Sequence, residues 1–413
     1  MAEQNGNQNG DGPTPPPICK RCNTNPSVIN LRSEHMCGTC FDKYTRSKCI
    51  KRTETYRVRY NPPDTDTTPR RLLLPLSFGI SSITLLHLLN AQLQTQLERT
   101  SRTGFVLLVM YVDESAIDPS VPTGDTSIRA VQARFPDVGE YMVAKLEGIY
   151  EFSHAVKSFE MGAAATPQQH TDWEGRLKEL IAALPTPSSR MDVLQILRTR
   201  LMVELARKHA CEAVLWGDTT TRLAEKTLAE TAKGRGFSIP WQTADGESPF
   251  GVKFLYPLRD LLKKEVAVYV SLDLPTPLRP LCFAVPQEGE GEEGEGGRKK
   301  YAAVGKGITI DELMTQYFEG IEGQYPSIVA NVVRTAGKLV TEGGVVRIGR
   351  CKICGLPRDG GGGELVLDAE TKLGESSNRE ANGNGHGEKK EGSDMCYGCA
   401  RSVHGAKTYE WPL

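Results

Sequence analysis

The chain has 413 residues, 39% of them hydrophobic, and a formal net charge of -1. That length and apolar content allow a large core divided over two or three domains. The near-neutral balance excludes a global field drawing the whole chain to nucleic acid or membrane, so any such affinity has to reside in a local patch.

The opening "MAEQNGNQNGDGPTPPP" is polar and Pro-rich, the composition of a disordered tail over 1–17 and not of a secretory leader. No apolar run reaches the roughly 18 residues of a membrane span. Eight of the eleven cysteines form four CxxC pairs, which is metal-ligand spacing and not a disulfide framework. A soluble protein of a reducing compartment, cytosol or nucleus, is expected.

A cysteine-rich module follows over 18–60. "CKRC" (Cys19, Cys22) and "CGTC" (Cys37, Cys40) are separated by fourteen residues, so two knuckles can close one tetrahedral four-thiolate site. Zinc is the expected ion. Its role is structural, because four thiolates leave no open coordination position and so small a module has little core of its own. His35 is an alternative ligand beside Cys37. From Lys20 to Tyr60 ten Lys and Arg face three acids, which supplies the local basic patch. Its stretch "KYTRSKCIKRTETYRVRY" sets Lys43, Arg46, Lys48, Lys51, Arg52, Arg57 and Arg59 among Tyr44, Tyr56 and Tyr60, residue types that grip phosphates and stack on exposed bases. An ordinary solvated basic face has the same composition.

After the linker "NPPDTDTTPRR", residues 70–285 alternate apolar runs with helical patterns. "RLLLPLS", a helix through Leu86, Leu89, Leu93 and Leu97, "GFVLLVMYVD", a helix in "TSIRAVQARF" and the strand-like "EYMVAKLEGIY" come first. An irregular region near 153–187 precedes the long helix "MDVLQILRTRLMVELARKHA", the strand "EAVLWG", a helix in "TTRLAEKTLAETAKG", and a strand and helix in "VKFLYPLRDLLKKEVAVYV". Apolar strands without polar alternation, separated by helices, indicate a doubly wound α/β domain with a parallel sheet covered on both faces.

An acidic, Gly-rich insertion at 286–300 has nothing to bury. In the helical segment 301–345, Leu313, Tyr317, Val329, Val332 and Val333 form apolar faces expected to pack on the sheet domain. The last module, 346–413, carries "CKIC" (Cys351, Cys354) and "CYGC" (Cys396, Cys399) on either side of a disordered Gly/Asn-rich excursion, about 358–394. Loop closure entropy grows only logarithmically with length, so these pairs can also form one zinc site. An iron–sulfur cluster or redox-active dithiols would use the same residues. Cys49, Cys211 and Cys282 have no CxxC partner and read as small buried or incidental thiols; His87 reads as a packed or exposed side chain.

The run "LLLPLSFGISSITLLHLLN", from Leu72 to Asn90, reads as strand, Ser/Gly turn and helix, which sets free backbone N–H groups and a positive helix end at one point. It is neither GxxxxGK[ST] nor GxGxxG. It resembles the PP-loop, SGGxDS, of the adenine-nucleotide alpha-hydrolase-like superfamily, whose members hold pyrophosphate there while adenylating a substrate carbonyl. "SFGISS" keeps Ser77, Gly79 and Ser82. Phe78 stands for the second residue, which puts bulk where a Gly lets backbone approach phosphate, and Ser81 stands for the Asp used near the nucleotide and its magnesium.

A second landmark, roughly GHNADDxAE in tRNA-thiolating members, is similar to Gly217, Asp218, Thr219, Thr220, Thr221, Arg222, Leu223, Ala224 and Glu225, with both acids replaced by Thr221 and Arg222. Those members also carry reactive or cluster-binding cysteines in the α/β core, where this chain has Cys211 and Cys282.

With the terminal cysteine pairs, "YPLRDLLKKEVAVYV" and "YPSIVANVVRTAGKL", the order of motifs resembles the non-catalytic subunits of cytosolic wobble-uridine tRNA thiolases. The resemblance implies a cytoplasmic heterodimer with a catalytic PP-loop thiolase subunit, acting on the lysine, glutamine and glutamate tRNAs, with sulfur from a ubiquitin-like carrier and its activating enzyme. ATP binding is doubtful. An active adenylating thiolase and a zinc-containing nucleic-acid-binding scaffold are the alternatives.

Overall fold

A computed structural model describes residues 16–31, 34–58, 69–118, 124–152, 172–272, 277–283, 308–339, 347–359, 394–406 and 411–412. Most of the N-terminal tail, the acidic insertion and most of the C-terminal excursion lie outside the described residues, as do Arg59 and Tyr60.

The N-terminal module is a hairpin and a helix. β1 (Ile29–Leu31) pairs antiparallel with β2 (Glu34–Met36), and α1 (Gly38–Arg52) begins at its N-cap Cys37. Phe41, Thr45 and Cys49 repeat every four residues and form its buried stripe. The module is joined to the main domain by long-range polar bonds. Arg52 makes a fork-to-fork pair with Asp260, at 2.9 and 3.0 Å, and reaches Asp245 at 3.2 Å. Tyr269 donates to Asp42 at 2.6 Å, and Thr53 donates to Gln92 at 3.0 Å.

The main domain is built on β3 (Arg70–Pro75), α2 (Ile80–Thr100), β4 (Phe105–Asp113), α3 (Gly124–Arg134) and β5 (Gly139–Lys145), followed by α4 (Trp173–Ala183), α5 (Pro187–Lys208), β6 (Ala213–Leu215), α6 (Thr220–Ala232), α7 (Ile239–Thr243), β7 (Gly246–Glu247), β8 (Lys253–Leu255) and α8 (Lys263–Val270). The sheet order is β5-β4-β3-β6-β8-β7, parallel throughout except for the two-residue edge strand β7. Leu73, Leu108, Met110 and Val214 join one core, and Leu72, Leu74, Leu107, Val109, Ala213 and Leu215 join a second. Strand side chains alternate between faces, so a run that is apolar at every position is what a sheet covered on both sides requires.

One expectation needs correction here. The region near 153–187 contains α4, whose N-cap Asp172 accepts from the Gly175 N–H at 2.8 Å and whose Leu177, Leu180 and Ile181 are buried.

α9 (Ile310–Glu322) and α10 (Pro326–Ala336) pack on α6. α9 opens with a capping box in which Thr309 and Glu312 bond reciprocally. Val329 and Val333 are buried as expected, whereas Leu313 and Tyr317 are exposed; Phe318 takes the core position on α9. The C-terminal module follows as β9 (Arg347–Arg350), β10 (Pro357–Asp359) and α11 (Tyr397–Val403). Its four CxxC cysteines belong to the first core and those of the N-terminal module adjoin the second, so the two modules cover opposite faces of the sheet.

A buried ion cluster ties the C-terminal parts to the main domain. Arg235 pairs with both Asp192 on α5 and Glu230 on α6, Lys233 reaches Asp311 on α9 at 2.7 Å, and Ser402 on α11 donates to Asp192 at 2.5 Å. Burial pushes the Asp192 and Glu230 carboxyls up, but Arg235 and Lys233 outweigh it and hold both below the ordinary carboxylate range. Depressed carboxylate pKa values give a contribution that is complete above the unfolded values of 3.8 and 4.5 and is lost as pH falls through the folded ones. Asp192→Asn leaves Arg235 short of a partner and is expected to lower unfolding free energy at pH 7 by about 3–5 kcal/mol. Chemical unfolding of the full chain measures this, and an unchanged midpoint would contradict it.

Candidate functional site

Strands β3 and β6 are neighbours, but the chain leaves β3 toward β4 on one side and leaves β6 toward β8 on the other. The loops following these two strands therefore meet at the topological switch point, where open α/β sheets bind ligands. They approach closely: a Cβ added to Gly217 would stand 3.3 Å from Ser82 Cα. A cavity of about 580 Å³ opens between them, lined by Ser77, Gly79, Ser81 and Ser82 from the first loop and Gly217, Asp218, Thr219 and Arg222 from the second. The geometry thus brings the two sequence motifs to one place.

The first loop is held by its serines. Ser82 Oγ donates to the Gly79 carbonyl at 3.1 Å and accepts from the Ser77 N–H at 3.3 Å, with Ser77 Oγ 3.2 Å away. Gly79 is the N-cap of α2 and supplies no side-chain cap, so the first-turn N–H groups keep the anion-facing character of a helix start. Phe78 has φ 54°, the left-handed region that a Gly would adopt without strain. Its ring is fully buried, 4.3 Å from Phe283 and 4.9 Å from Tyr111 between centroids, and its carbonyl accepts from the Phe283 N–H at 2.9 Å. This corrects the expectation that its bulk blocks the phosphate position: the ring is turned into an aromatic cluster, and Phe78 does not line the cavity.

In the second loop Thr219 caps α6, accepting from the Arg222 N–H at 3.3 Å. Thr221, at the first missing acid, is fully buried; it donates to Glu322 at the end of α9 at 3.1 Å and accepts from the Lys263 N–H at 2.9 Å. Arg222, at the second, pairs with Glu225 at 2.8 Å. Asp218 pairs with Lys226 at 2.6 Å, Lys263 with Glu319 at 2.5 Å, and Arg198 makes a two-pronged pair with Glu114. Among the described residues every cation on the cavity wall therefore has a carboxylate partner, and no cysteine or histidine lines it. These lining charges balance one another.

Each set of four CxxC cysteines brings its sulfurs within 4.8 Å of one another and could hold a metal ion. Cys22 and Cys37 Sγ stand 3.7 Å apart, and Cys354 and Cys396 Sγ 4.0 Å apart, near the edge of about 3.8 Å that a tetrahedral zinc tetrathiolate needs. Burial raises Cys19, but backbone groups of Cys22, Cys37 and Arg21 outweigh it and hold the thiol down to about 6, whereas burial and the neighbouring thiols push Cys40 up to about 12; a bound cation favours the thiolate form of such a set. In the C-terminal set the Cys396 N–H donates to Cys351 Sγ at 3.3 Å. The N-terminal set is half-buried and the C-terminal set wholly buried. His35 lies on β2 outside the sulfur group. Burial pushes Cys49 up to about 12 and Cys211 and Cys282 to about 11, the character of inert thiols, and none of the three lines the cavity. His87 is packed between Phe135 and Tyr269, and burial pushes it down to about 4.

The basic segment divides. Lys43, Lys51 and Arg57 are exposed. Arg46 bonds Asp42, Arg52 is committed to Asp245 and Asp260, and Lys48 and Arg21 lie over the Tyr44 ring. Tyr56 is buried, donates to Glu212 at 3.3 Å and carries Arg70 over its face, so it offers nothing to an external base.

Sequence reading missed Glu114, Arg198 and Thr315 of the cavity wall, which belong to no motif, Lys263, whose motif "YPLRDLLKKEVAVYV" carried no site assignment, and Phe283, the partner of Phe78, which lies over two hundred residues away in the chain. Truncating the buried Phe78 ring to Ala is expected to cost about 3–5 kcal/mol. Phe78→Gly should be less damaging than Phe78→Ala by about 1 kcal/mol, because only Gly is unstrained at that φ. Unfolding midpoints of the two variants check this; Gly no better than Ala would contradict the left-handed turn.

Residues 309–401 match the family model described as Cytoplasmic tRNA 2-thiolation protein 2. A curated protein of that name from Phaeosphaeria nodorum is 41% identical over 388 residues, covering 94% of this chain and 94% of the relative. One from Pyrenophora tritici-repentis is 39% identical, covering 93% and 94%, and one from Aspergillus niger is 33% identical, covering 94% and 97%. In structure the chain is similar to the U34-tRNA thiolase NcsA of Methanococcus maripaludis, solved with its 4Fe-4S cluster, at a TM-score of 0.52 and 16% identity over 82% of this chain and 90% of that one; at that identity the likeness shows the fold. By identity and extent of match, the chain belongs to the cytoplasmic tRNA 2-thiolation protein 2 family.

Proposed function

We propose that this chain is the non-catalytic subunit of a complex that 2-thiolates the wobble uridine of cytosolic lysine, glutamine and glutamate tRNAs, with a catalytic PP-loop thiolase as its partner in a heterodimer. The observation that carries the reading is the second loop: Thr221, where thiolating relatives have an acid, is buried and spent on holding Glu322 of α9. With Ser81 in the first loop, both motif positions for an acid are vacated, the carboxylates that do line the cavity, Glu114, Asp218 and Glu225, are paired with Arg198, Lys226 and Arg222, and among the described residues no cysteine lines it to carry sulfur. Sulfur supply then falls to a ubiquitin-like carrier and its activating enzyme, acting through the partner. Zinc at both four-cysteine sets serves folding, since four thiolates saturate the ion.

The N-terminal module supplies the tRNA surface on this reading. Arg52 is a poor probe because its reversal would break the pairs with Asp245 and Asp260. Lys43 and Lys51 are exposed and suited to the test. The double charge reversal is expected to weaken tRNA binding and to flatten the slope of log affinity against log salt by about 2, one per phosphate contact. Unchanged binding would remove the module from the interface.

Deletion of this chain from its host is expected to abolish 2-thiouridine in those tRNAs, read by mass spectrometry of digested tRNA. Complementation with Ser81→Ala is expected to restore the modification as fully as the unaltered chain does. Normal 2-thiouridine after deletion would overturn the pathway assignment, and failure of folded Ser81→Ala would overturn the non-catalytic reading.

A further inference from the structure

We infer that Arg200 on α5 is the charge-compensating positioning residue of the C-terminal metal centre, the group that lets a buried tetrathiolate close against the main domain. A divalent ion on four thiolates carries two net negative charges. At the N-terminal set Cys22 and Cys40 are half-buried, so water can screen that charge; Cys351, Cys354, Cys396 and Cys399 are all buried. A charge removed from water requires a partner within the protein.

The nearest large ion cluster cannot provide one. Arg235 and Lys233 together face Asp192, Glu230 and Asp311, two cations against three carboxylates. Arg200 is different. Among the described residues its one carboxylate neighbour, Glu204, stands 3.9 Å away and also serves Arg207 at 3.5 Å, which leaves two cations on one acid, and its buried Nε has no hydrogen-bond partner there. The guanidinium lies over the Phe250 ring at 5.3 Å and lines a small cavity together with Cys354 and Leu356.

Contact with the metal knuckle is direct. A Cβ built on Gly355, the residue after Cys354, would stand 1.7 Å from Arg200 Nη1. Gly355 is also left-handed, with φ 71°, so the position requires Gly for its turn and for the space the guanidinium occupies. Arg350 also donates to the Gly355 carbonyl at 3.2 Å. Two arginines thus reach the knuckle, of which Arg200 belongs to the main domain. Metal closure and docking of the module become one event, since the ion's negative shell completes the pairing of a cation already buried on α5.

The test follows release of bound zinc from the full chain into a colorimetric chelator, with far-UV circular dichroism confirming the fold of each variant. Wild type is expected to bind two zinc ions and release them in two phases. Arg200→Met and Arg200→Gln are expected to weaken retention in one phase by about 10–100-fold, the usual effect of a residue that orients metal ligands, and to leave the other phase unchanged. Arg200→Lys is expected to restore most of the loss. Equal weakening by Lys and Met would assign a packing role and overturn the inference, as would unaltered phases or a shift of both phases together. Zinc absent from the C-terminal set of wild type would overturn it along with the structural-zinc reading. Should Met and Gln fail to fold, folded Arg200→Lys with a tenfold loss of zinc would itself contradict a role based on charge.

Discussion

The parallel pairing of β3 with β6 at the centre of the sheet is the constraint from which the candidate site follows. Because the chain turns to opposite sides after these strands, two loops from distant parts of the sequence are forced to the same point above the sheet. Gly217 permits the backbone of one loop to approach Ser82 of the other, and the cavity is the space that remains. Any protein with this topology inherits such a crevice; what it does there depends on the side chains lining it.

In this chain those side chains have been turned to structural ends. Thr221 anchors α9 through Glu322, Thr315 on the same helix donates to Glu225 at 3.1 Å, and the lining cations are each matched by an acid. The wall of the crevice supports a helical pair packed on α6. Phe78 makes the same point differently: its ring is turned away from the crevice and joins β4 and the segment around Phe283. The two cysteine modules lie on opposite faces of the sheet. They differ in burial, and so in how the charge of a bound metal has to be balanced.

Much of this was legible in the sequence wherever a single local rule decides the outcome. Apolar runs without alternation gave the parallel sheet, CxxC spacing gave both sulfur groups, and the Ser/Gly turn between strand and helix gave the first loop. The start of α9 is marked by its capping box, a signal present in the sequence at Thr309 and Glu312. What escaped depended on partners remote in sequence. The direction of the Phe78 ring is set by Phe283, and the burial of Tyr56 by Arg70 and Glu212. The exposure of Leu313 and Tyr317 follows from which face of α9 meets α6, which periodicity alone does not specify. α4 had both a cap and an apolar period, yet sits in a region whose composition reads as loop.

ATP–pyrophosphate exchange by the purified full-length chain, measured with and without its cognate tRNAs, bears most directly on a fold retained without its nucleotide chemistry. Exchange no faster than the uncatalysed background, with and without tRNA, is the expected result. Robust tRNA-dependent exchange in the absence of a second PP-loop protein would contradict it.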